Sequence, residues 1–147
     1  MFLVEDLMTR ELITLKPDDN LAQADTFMNR GRIRHLPVVN SAGKLVGLVT
    51  HRDLLKVFAD RSREGAMEVR AGDVMTTGVS TVGPHTRLTA ALKLMIDNKY
   101  GCLPVVDATD VLVGLITQFD LIKFAAHFVR DLDEVELVAQ KIRGEKK

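Results

Sequence analysis

The 147-residue chain carries 20 Lys and Arg and 20 Asp and Glu, so its formal net charge at pH 7 is zero. That balance argues against a nucleic-acid binder, which usually carries a basic excess. Hydrophobic residues make up 46% of the chain and charged residues 27%, as in folded globular proteins and unlike disordered ones. No apolar run approaches the roughly 18 residues of a membrane span, the first residues lack a signal-peptide pattern, and the single Cys102 excludes an intrachain disulfide. We therefore expect a cytoplasmic protein.

The chain contains an internal repeat. Displaced by 67 residues, the sequence matches itself from residue 4 to residue 56 without an insertion. The matched segments are Asp6-Leu7-Met8-Thr9 with Asp73-Val74-Met75-Thr76, Thr14-Leu15-Lys16-Pro17 with Thr81-Val82-Gly83-Pro84, Leu36-Pro37-Val38-Val39 with Leu103-Pro104-Val105-Val106, and Leu45-Val46-Gly47-Leu48-Val49-Thr50 with Leu112-Val113-Gly114-Leu115-Ile116-Thr117. A register kept over that distance indicates two copies of one supersecondary unit.

Each copy begins with a predicted strand and a predicted helix. In the first copy, residues 12–15 are apolar or β-branched and stop shortly before a proline, which favours a strand. The pair Asp18-Asp19, or His85-Thr86 in the second copy, offers an N-cap for the helix that follows. That helix is marked by apolar residues at helical spacing, which are Leu21, Ala24 and Met28 in the first copy and Leu88, Ala91, Leu92 and Met95 in the second.

A hairpin and a second helix complete each copy. Strands Leu36–Val39 and Leu45–Val49 are joined by the polar turn Asn40–Lys44, and a helix is predicted from near Thr50 onward. The order is β-α-β-β-α, twice. One such unit of about 60 residues has a marginal core alone. We therefore predict an α/β (α+β) protein in which two three-stranded repeats pack sheet to sheet about a pseudo-twofold axis.

The predicted boundaries are residues 1–60 for repeat one, 61–67 for a polar linker, 68–127 for repeat two and 128–147 for a C-terminal helical extension. The extension carries a heptad-like apolar stripe, which consists of Phe128, Leu132, Val135, Ala139 and Ile142. Two interpretations of this stripe stay open. Either it packs on its own domain, or it contacts a second copy or another partner.

The repeated motifs resemble the CBS (cystathionine β-synthase) domain. Asp-x-Met-Thr, Leu-Pro-Val-Val and the segment Gly47-Leu48-Val49-Thr50-x-x-Asp53 are similar to its signature, over about residues 4–126. The chain is thereby identified as a member of the tandem CBS pairs, or Bateman modules, of the stand-alone bacterial and archaeal kind. The resemblance implies two clefts that bind an adenosine ligand (AMP, ADP, ATP or S-adenosylmethionine), an absence of catalysis, a homodimer, and an unknown regulated protein as partner.

The segment Thr50-x-x-Asp53 and its copy Thr117-x-x-Asp120 have two compatible interpretations. As a capping box, the threonine and the acid satisfy N–H groups at the start of the second helix. The same helix N-terminus suits a phosphate group. The resemblance implies that the aspartate accepts the ribose hydroxyls and that the threonine contacts the sugar or the phosphate.

Basic residues distinguish the first copy from the second. Arg34, His35 and Arg52 flank its motif, and arginine pairs well with phosphate oxygens. The aligned residues of the second copy are Gly101, Cys102 and Phe119. We therefore expect the cleft of the first copy to bind the more highly phosphorylated ligand.

The resemblance implies that the acid of one repeat faces the base-binding slot of the other. Cleft one comprises Thr50, Arg52, Asp53, Arg34 and His35 of repeat one with Ser80, Tyr100 and Gly101 of repeat two. In it, Tyr100 is predicted to stack on adenine and Gly101 to let the base approach the backbone. Cleft two comprises Thr117, Asp120, Ile13, Thr14 and Ile33. With fewer phosphate partners, it is expected to bind more weakly, to prefer a less charged adenosine, or to stay empty.

Other chemistries lack a motif in this sequence. It has no glycine-rich phosphate-binding loop, its four histidines have no metal-ligand spacing, and Cys102 is predicted to be a buried, inert thiol. We therefore predict a regulatory sensor of an adenosine nucleotide, without enzymatic activity, cofactor or metal, and without nucleic-acid or membrane contacts. The alternative is a ligand-independent dimerisation or scaffold module.

Overall fold

The computed structural model describes residues 1–144. This part of the chain contains seven helices and four strands. In chain order they are α1 (Val4–Leu7), α2 (Leu21–Gly31), β1 (His35–Val39), β2 (Leu45–Thr50), α3 (His51–Asp60), α4 (Arg63–Met67), α5 (Ala71–Val74), α6 (Leu88–Asn98), β3 (Cys102–Val106), β4 (Leu112–Thr117) and α7 (Gln118–Gly144). The predicted α/β class and the duplicated unit are confirmed. No helix described here combines the length and the apolar character of a membrane span.

Each repeat holds a two-stranded antiparallel sheet, β1–β2 or β3–β4, instead of the predicted three-stranded one. Of residues 12–15, only Leu15 pairs: its N–H donates to Pro37 O at 2.9 Å, and Val39 N donates to Leu15 O at 2.8 Å. A further rung of this parallel ladder needs an N–H from Pro37, which proline lacks. Pro104 stands in the same place in repeat two, where the first strand is likewise one residue long.

The caps of the first helices differ from the predicted ones. Asn20 caps α2, because its side chain accepts from Gln23 N at 3.0 Å while Gln23 Oε1 accepts from Asn20 N at 3.0 Å. The acidic pair at 18–19 directly precedes this cap. In repeat two, α6 begins after Arg87, whose side chain makes no cap bond, and not at the pair 85–86. Asparagine and glutamine therefore form a capping box that the sequence pattern did not single out.

The first segment of each repeat pairs with the other repeat. Thr9 and Leu115 of β4 exchange two backbone hydrogen bonds, of 2.9 and 3.0 Å. Thr76 and Leu48 of β2 exchange two of the same lengths. The Asp-x-Met-Thr motif of each repeat therefore pairs with the sheet of the other repeat.

Methionine and glycine of two repeated motifs contact each other across the repeats. A Cβ atom on Gly47 would lie 2.5 Å from Sδ of Met75, and one on Gly114 would lie 2.5 Å from Sδ of Met8. No real Cβ makes so short a contact, so any side chain at either glycine would displace the methionine. Two motifs that are far apart in sequence are thus one packing unit.

The two repeats have separate cores that share the exchanged segments. The buried core of repeat one comprises Leu15, Leu21, Ala24, Met28, Leu36, Val38, Val49, Leu54 and Ala71. That of repeat two comprises Val4, Met8, Leu88, Ala91, Met95, Leu103, Val105 and Ile116. A smaller cluster of Leu48, Cys102 and Leu115 joins the two sheets. Hence α1 belongs to the core of repeat two and α5 to that of repeat one.

The linker and the C-terminal extension are more regular than expected. The linker forms α4, whose Ala66 is fully buried. The second helix of repeat two runs on without a break as α7, and residues 125–144 are exposed apart from a half-buried Ala139. α7 contacts the body through an edge-to-face pair of Phe2 and Phe124, with ring centroids 5.2 Å apart. The apolar stripe therefore does not pack on its own domain; residues 145–147 of the extension lie outside the described residues.

Candidate functional site

Thr50 and Asp53 form a capping box at the start of α3. Asp53 Oδ2 accepts hydrogen bonds from Thr50 N at 2.8 Å and from Thr50 Oγ1 at 3.0 Å, and Asp53 N donates to Thr50 Oγ1 at 3.3 Å. Thr117 and Asp120 repeat this arrangement at the start of α7, with distances of 2.9, 3.1 and 3.3 Å. In both repeats one carboxylate oxygen is thus held at the positive end of a helix.

The second oxygen of each carboxylate has different surroundings in the two repeats. Asp120 Oδ1 accepts from Thr9 Oγ1 at 3.0 Å and lies 3.4 Å from Lys123 Nζ, and the residue is only 6% exposed. Asp53 is half-buried, and within residues 1–144 no donor is bonded to its Oδ1. The acid of cleft one therefore keeps one oxygen for a further partner, whereas the acid of cleft two is fully engaged.

Arg34 and His35 lie beside the capping box of α3. His51 N, the first of the helix, donates to Arg34 O at 2.9 Å, and His35 is the register partner of Thr50 in the hairpin. The Arg34 side chain is exposed, as is that of Arg52, and neither makes an ion pair within residues 1–144. Five of the residues assigned to cleft one thus occupy one end of the β1–β2 hairpin, with two unpaired guanidinium groups.

His35 reaches across to repeat two. A Cβ on Gly101 would lie 3.0 Å from His35 Nε2, so the imidazole covers this glycine. The expected role of Gly101 was to let an adenine ring approach; in the structure the same space holds the imidazole. Desolvation, and secondarily the charge of Arg34, hold the pKa of His35 below its ordinary value of 6.5. At neutral pH the imidazole is therefore mostly uncharged, and Arg34 is the cation of the pair.

Ser80 and Tyr100 meet on the repeat-two side. The Ser80 hydroxyl donates to Tyr100 Oη at 3.2 Å, and the half-buried ring packs against the core of repeat two. Since Gly101 follows Tyr100 and touches His35, these groups border the residues from repeat one. The structure thus brings together groups of both repeats, through the contact between His35 and Gly101.

The hydrophobic residues assigned to cleft two gather around another glycine. A Cβ on Gly31 would lie 3.3 Å from Cδ1 of Ile13 and 3.4 Å from Cδ1 of Ile33, and Thr14 is half-buried nearby in sequence. Within residues 1–144, no hydrogen bond joins these residues to Asp120. Cleft two therefore has its apolar wall, but its acid is bonded elsewhere.

Cys102 takes the place in repeat two that His35 has in repeat one. It is 5% exposed, and burial raises the pKa of its thiol to about 12. The thiol is therefore uncharged at every physiological pH and poorly reactive. A polar, titratable group in one repeat corresponds to an inert apolar one in the other.

Two open cavities lie away from both clefts. One, of about 360 Å³, is at the turn end of the hairpins, and its lining includes Lys44, Gly47, Val79, Thr81 and Asp110. The other, of about 540 Å³, is bordered by α3, α4 and α5. Neither is lined by a residue assigned to a cleft, so the cavities do not add support to the site. In residues 1–144, no three His, Cys, Asp or Glu side chains are arranged to hold a metal ion.

Sequence reasoning missed two residues that decide the state of cleft two. Thr9 and Lys123 both reach Asp120, and Lys123 Nζ also lies 5.2 Å from the centre of the Phe119 ring. Thr9 belongs to the repeated Asp-x-Met-Thr motif, but its contact with Asp120 follows from the exchange of segments between repeats. Lys123, one turn after the acid on the same helix, could have been noted as an i,i+3 partner.

The CBS domain model matches residues 4–60 and 71–127. Among solved structures, a protein described as an acetoin utilization protein (AcuB) from Vibrio cholerae has a TM-score of 0.82 and 40% identity, over 91% of this chain and 97% of that one. CBSX2, solved in complex with AMP, has a TM-score of 0.77 and 29% identity, over 87% of this chain and 98% of that one.

A further solved structure carries two adenosine ligands. The CBS domain pair of protein MJ0100, in complex with 5′-methylthioadenosine and S-adenosyl-L-methionine, has a TM-score of 0.76 and 26% identity, over 86% of this chain and 98% of that one. Curated relatives are longer. Inosine-5′-monophosphate dehydrogenase of Methanocaldococcus jannaschii is 35% identical over 119 residues, which are 81% of this chain but 23% of that enzyme. The chain thus spans less than a quarter of the length of this relative.

Proposed function

This chain belongs to the CBS domain family, as a tandem pair, and we propose that it is a regulatory module that binds an adenosine nucleotide in cleft one. The observation that carries the proposal is the free Oδ1 of Asp53, held at the N-terminus of α3 beside Arg34 and next to groups of the other repeat. The AMP bound to one relative and the adenosine ligands bound to another support this ligand class.

The residues of cleft one suit the three parts of a nucleotide. An ionised carboxylate with an unused oxygen accepts the hydroxyl groups of a ribose in charge-assisted hydrogen bonds. Arg34 and Arg52, exposed and without ion pairs within residues 1–144, suit phosphate oxygens together with the positive end of the α3 dipole. The Tyr100 ring offers a face for adenine once the His35 imidazole turns away from the glycine beside it.

Charge decides the preferred ligand in this proposal. Cleft one has two guanidinium groups for a phosphate chain, so AMP, ADP or ATP should bind there more tightly than S-adenosylmethionine, whose sulfonium group is itself positive. Cleft two has an apolar wall and an acid that Thr9 and Lys123 already engage. We therefore assign one high-affinity nucleotide per chain, to cleft one.

The bound state would be passed on by a change in the relation between the repeats. A nucleotide held by Asp53 of repeat one and Tyr100 of repeat two connects both halves, and it would shift the population of arrangements that the pair adopts. The regulated partner is a second protein, and the module acts as a homodimer in the cytoplasm, where the free thiol of Cys102 stays reduced. The proposal assigns no catalysis to the chain.

Isothermal titration of the full chain against AMP, ADP, ATP and S-adenosylmethionine tests the ligand. We expect saturable binding of at least one phosphate-bearing ligand at one site per chain, with GMP as the control for the base. Thermal unfolding with the same panel gives an independent readout, because a ligand that binds only the folded state raises Tm. If no ligand of the panel binds and none raises Tm, the ligand-independent scaffold is the better description.

A further inference from the structure

The C-terminal part of α7 is a long exposed helix with an apolar face. Residues 128–144 extend for about 25 Å beyond the body, at 1.5 Å per residue. Five residues of this segment repeat at steps of 4, 3, 4 and 3 and so share one face; we call them the stripe. Its large members are 53–67% exposed; the stripe comprises Phe128, Leu132, Val135, Ala139 and Ile142. A helix that stays surrounded by solvent is usually polar on every face. An apolar stripe with this spacing is instead typical of a coiled-coil seam.

The charges of the same segment are separated along the helix. An acidic block covers residues 131–136, with four carboxylates, and a basic end follows with Lys141 and Arg143. If two copies of this helix lay parallel, acidic block would stand beside acidic block. If they lie antiparallel, one block can stand beside the basic end of the second copy. The charge pattern therefore favours an antiparallel pair.

The stripe and the charges favour the same register. When Leu132 is level with Ile142 of a second copy, Val135 is level with Ala139, and the layers of the two stripes coincide. In this register residues 131–136 are level with residues 138–143 of the second copy, so the acidic block meets the basic end. A shift by one heptad, with Leu132 level with Val135, would instead place the acidic blocks opposite each other.

We propose that α7 is the dimerisation element of this protein: residues 128–144 pair with the same segment of a second copy, antiparallel and centred near residue 137. The helix is preformed as a continuation of the core helix, so little ordering is needed on association. The two bodies would lie at opposite ends of the helix pair, with their nucleotide clefts free. The proposal does not depend on the ligand.

Sedimentation equilibrium of the full chain tests the pairing. We expect a dimer for the natural chain and a monomer for Leu132→Glu. Leu137→Glu is the matched control, because Leu137 is 55% exposed, as Leu132 is 53%, yet lies on the opposite side of the helix from the stripe. Both side chains are exposed, so neither change should alter Tm of the body by more than a few degrees. A monomeric natural chain, or a dimer that survives Leu132→Glu, overturns the proposal.

Disulfide cross-linking tests the direction. We expect an equimolar mixture of Leu132→Cys and Ile142→Cys proteins to form the mixed disulfide, because the antiparallel register places these positions level. Cys102 is buried and does not compete for oxidation. A preference for homodisulfides of Leu132→Cys would indicate a parallel pair and overturn the direction.

Charge reversal tests the register through two residues that flank the same side of the stripe. Glu136→Lys alone and Arg143→Glu alone should each weaken dimerisation, by several-fold at low salt, whereas the double variant should recover most of the loss. If the double variant instead lost dimer affinity by the sum of the two single losses, the acidic block would not lie beside the basic end of the second copy.

Discussion

Cleft one and cleft two share the same capping box, and they differ in what its carboxylate touches. Asp53 and Asp120 stand in identical capping boxes. Thr76 and Lys56 stand at the positions aligned with the threonine and lysine that engage Asp120, yet within residues 1–144 neither is bonded to Asp53. The aligned threonine, lysine and aspartate are thus the same residue types in both sets. The carboxylate of Asp53 nevertheless keeps an unused oxygen, whereas both oxygens of Asp120 are engaged.

The same motif thus stabilises the fold in one repeat and is left available to a ligand in the other. Asp120 is buried with three partners besides its own helix backbone, which are Thr9, Thr117 and Lys123. Removing Asp120 would leave three donors without their acceptor and would empty a buried position, whereas removing Asp53 costs only a half-buried cap. Four tests probe this asymmetry between the repeats, in descending order of expected effect.

The largest effect is expected from the two aspartates. Asp53→Ala should weaken AMP or ATP binding by about 100-fold or more, since two hydrogen bonds to a charged acceptor are lost, and cost about 1 kcal/mol of stability as a lost cap. Asp120→Ala should leave nucleotide affinity within a few-fold and cost about 2–3 kcal/mol. Titration calorimetry and urea unfolding measure the two quantities. Equal loss of affinity in both variants would contradict the assignment of the ligand to cleft one.

The two repeats should respond alike to substitution of the glycines in their hairpins. Gly47→Ala and Gly114→Ala each place a methyl group against a methionine sulfur, at the distance of 2.5 Å given above. We expect each to lower the free energy of unfolding by about 1–3 kcal/mol, which is the usual cost of overpacking. Gly78→Ala is a control for the loss of a glycine, because a Cβ there meets no atom within 4 Å, although its φ of +62° adds strain. A clearly unequal response of Gly47 and Gly114 would show that the exchanged segments do not pack equivalently.

The hydroxyl of Thr9 is a smaller and more specific probe. Thr9→Val removes the bond to Asp120 Oδ1 while it keeps the shape of the side chain, so stability should fall by about 1 kcal/mol. Freed from this bond, cleft two should gain measurable affinity for an uncharged adenosine ligand. Thr76→Val, the aligned change, should alter neither stability nor the affinity of cleft one by a comparable amount. A Thr76 variant that behaves like the Thr9 variant would remove the asymmetry.

The smallest effect is expected from pH, and its direction differs between the repeats. The pKa of His35 is lowered in the folded protein, so as pH falls below 6.5 the unfolded chain takes up a proton first and stability is lost. The pKa of Cys102 is raised to about 12, so stability is lost as pH rises above about 9, where the unfolded thiol ionises. His35→Gln should flatten the acid side of the stability profile and Cys102→Ala the alkaline side. Urea unfolding across pH 5–10 measures both slopes; an unchanged acid slope in His35→Gln would mean that His35 does not titrate differently on folding.

Local patterns predicted most of the fold. The hairpins, both helices of each repeat and the pseudo-twofold follow from apolar spacing and from the repeat itself. The first strand is shorter than its own residues predict. It ends where Pro37 of the neighbouring strand has no N–H to donate, and this depends on the pairing of the two strands. The N-cap of α2 was misplaced by one or two residues, which is the ordinary uncertainty of helix ends.

The site was harder to predict than the fold. The hairpin places the five repeat-one residues assigned to cleft one at one end, while their role in binding stays a prediction. The contact between His35 and Gly101 and that between Thr9 and Asp120 join residues 66 and 111 positions apart, so neither has a local signal. These distant contacts determine which of the two carboxylates has a free oxygen. The Thr-x-x-Asp motif itself is the same in both repeats and therefore does not show it.

The reciprocal exchange of α1 and α5 has a consequence for how the protein is made. α1 is synthesised before β4, yet its place in the molecule lies against that strand, which ends at residue 117. α1 must therefore wait, undocked, while more than a hundred further residues are synthesised. Neither half can finish folding during translation before the other exists, so the two repeats reach the native state together or not at all.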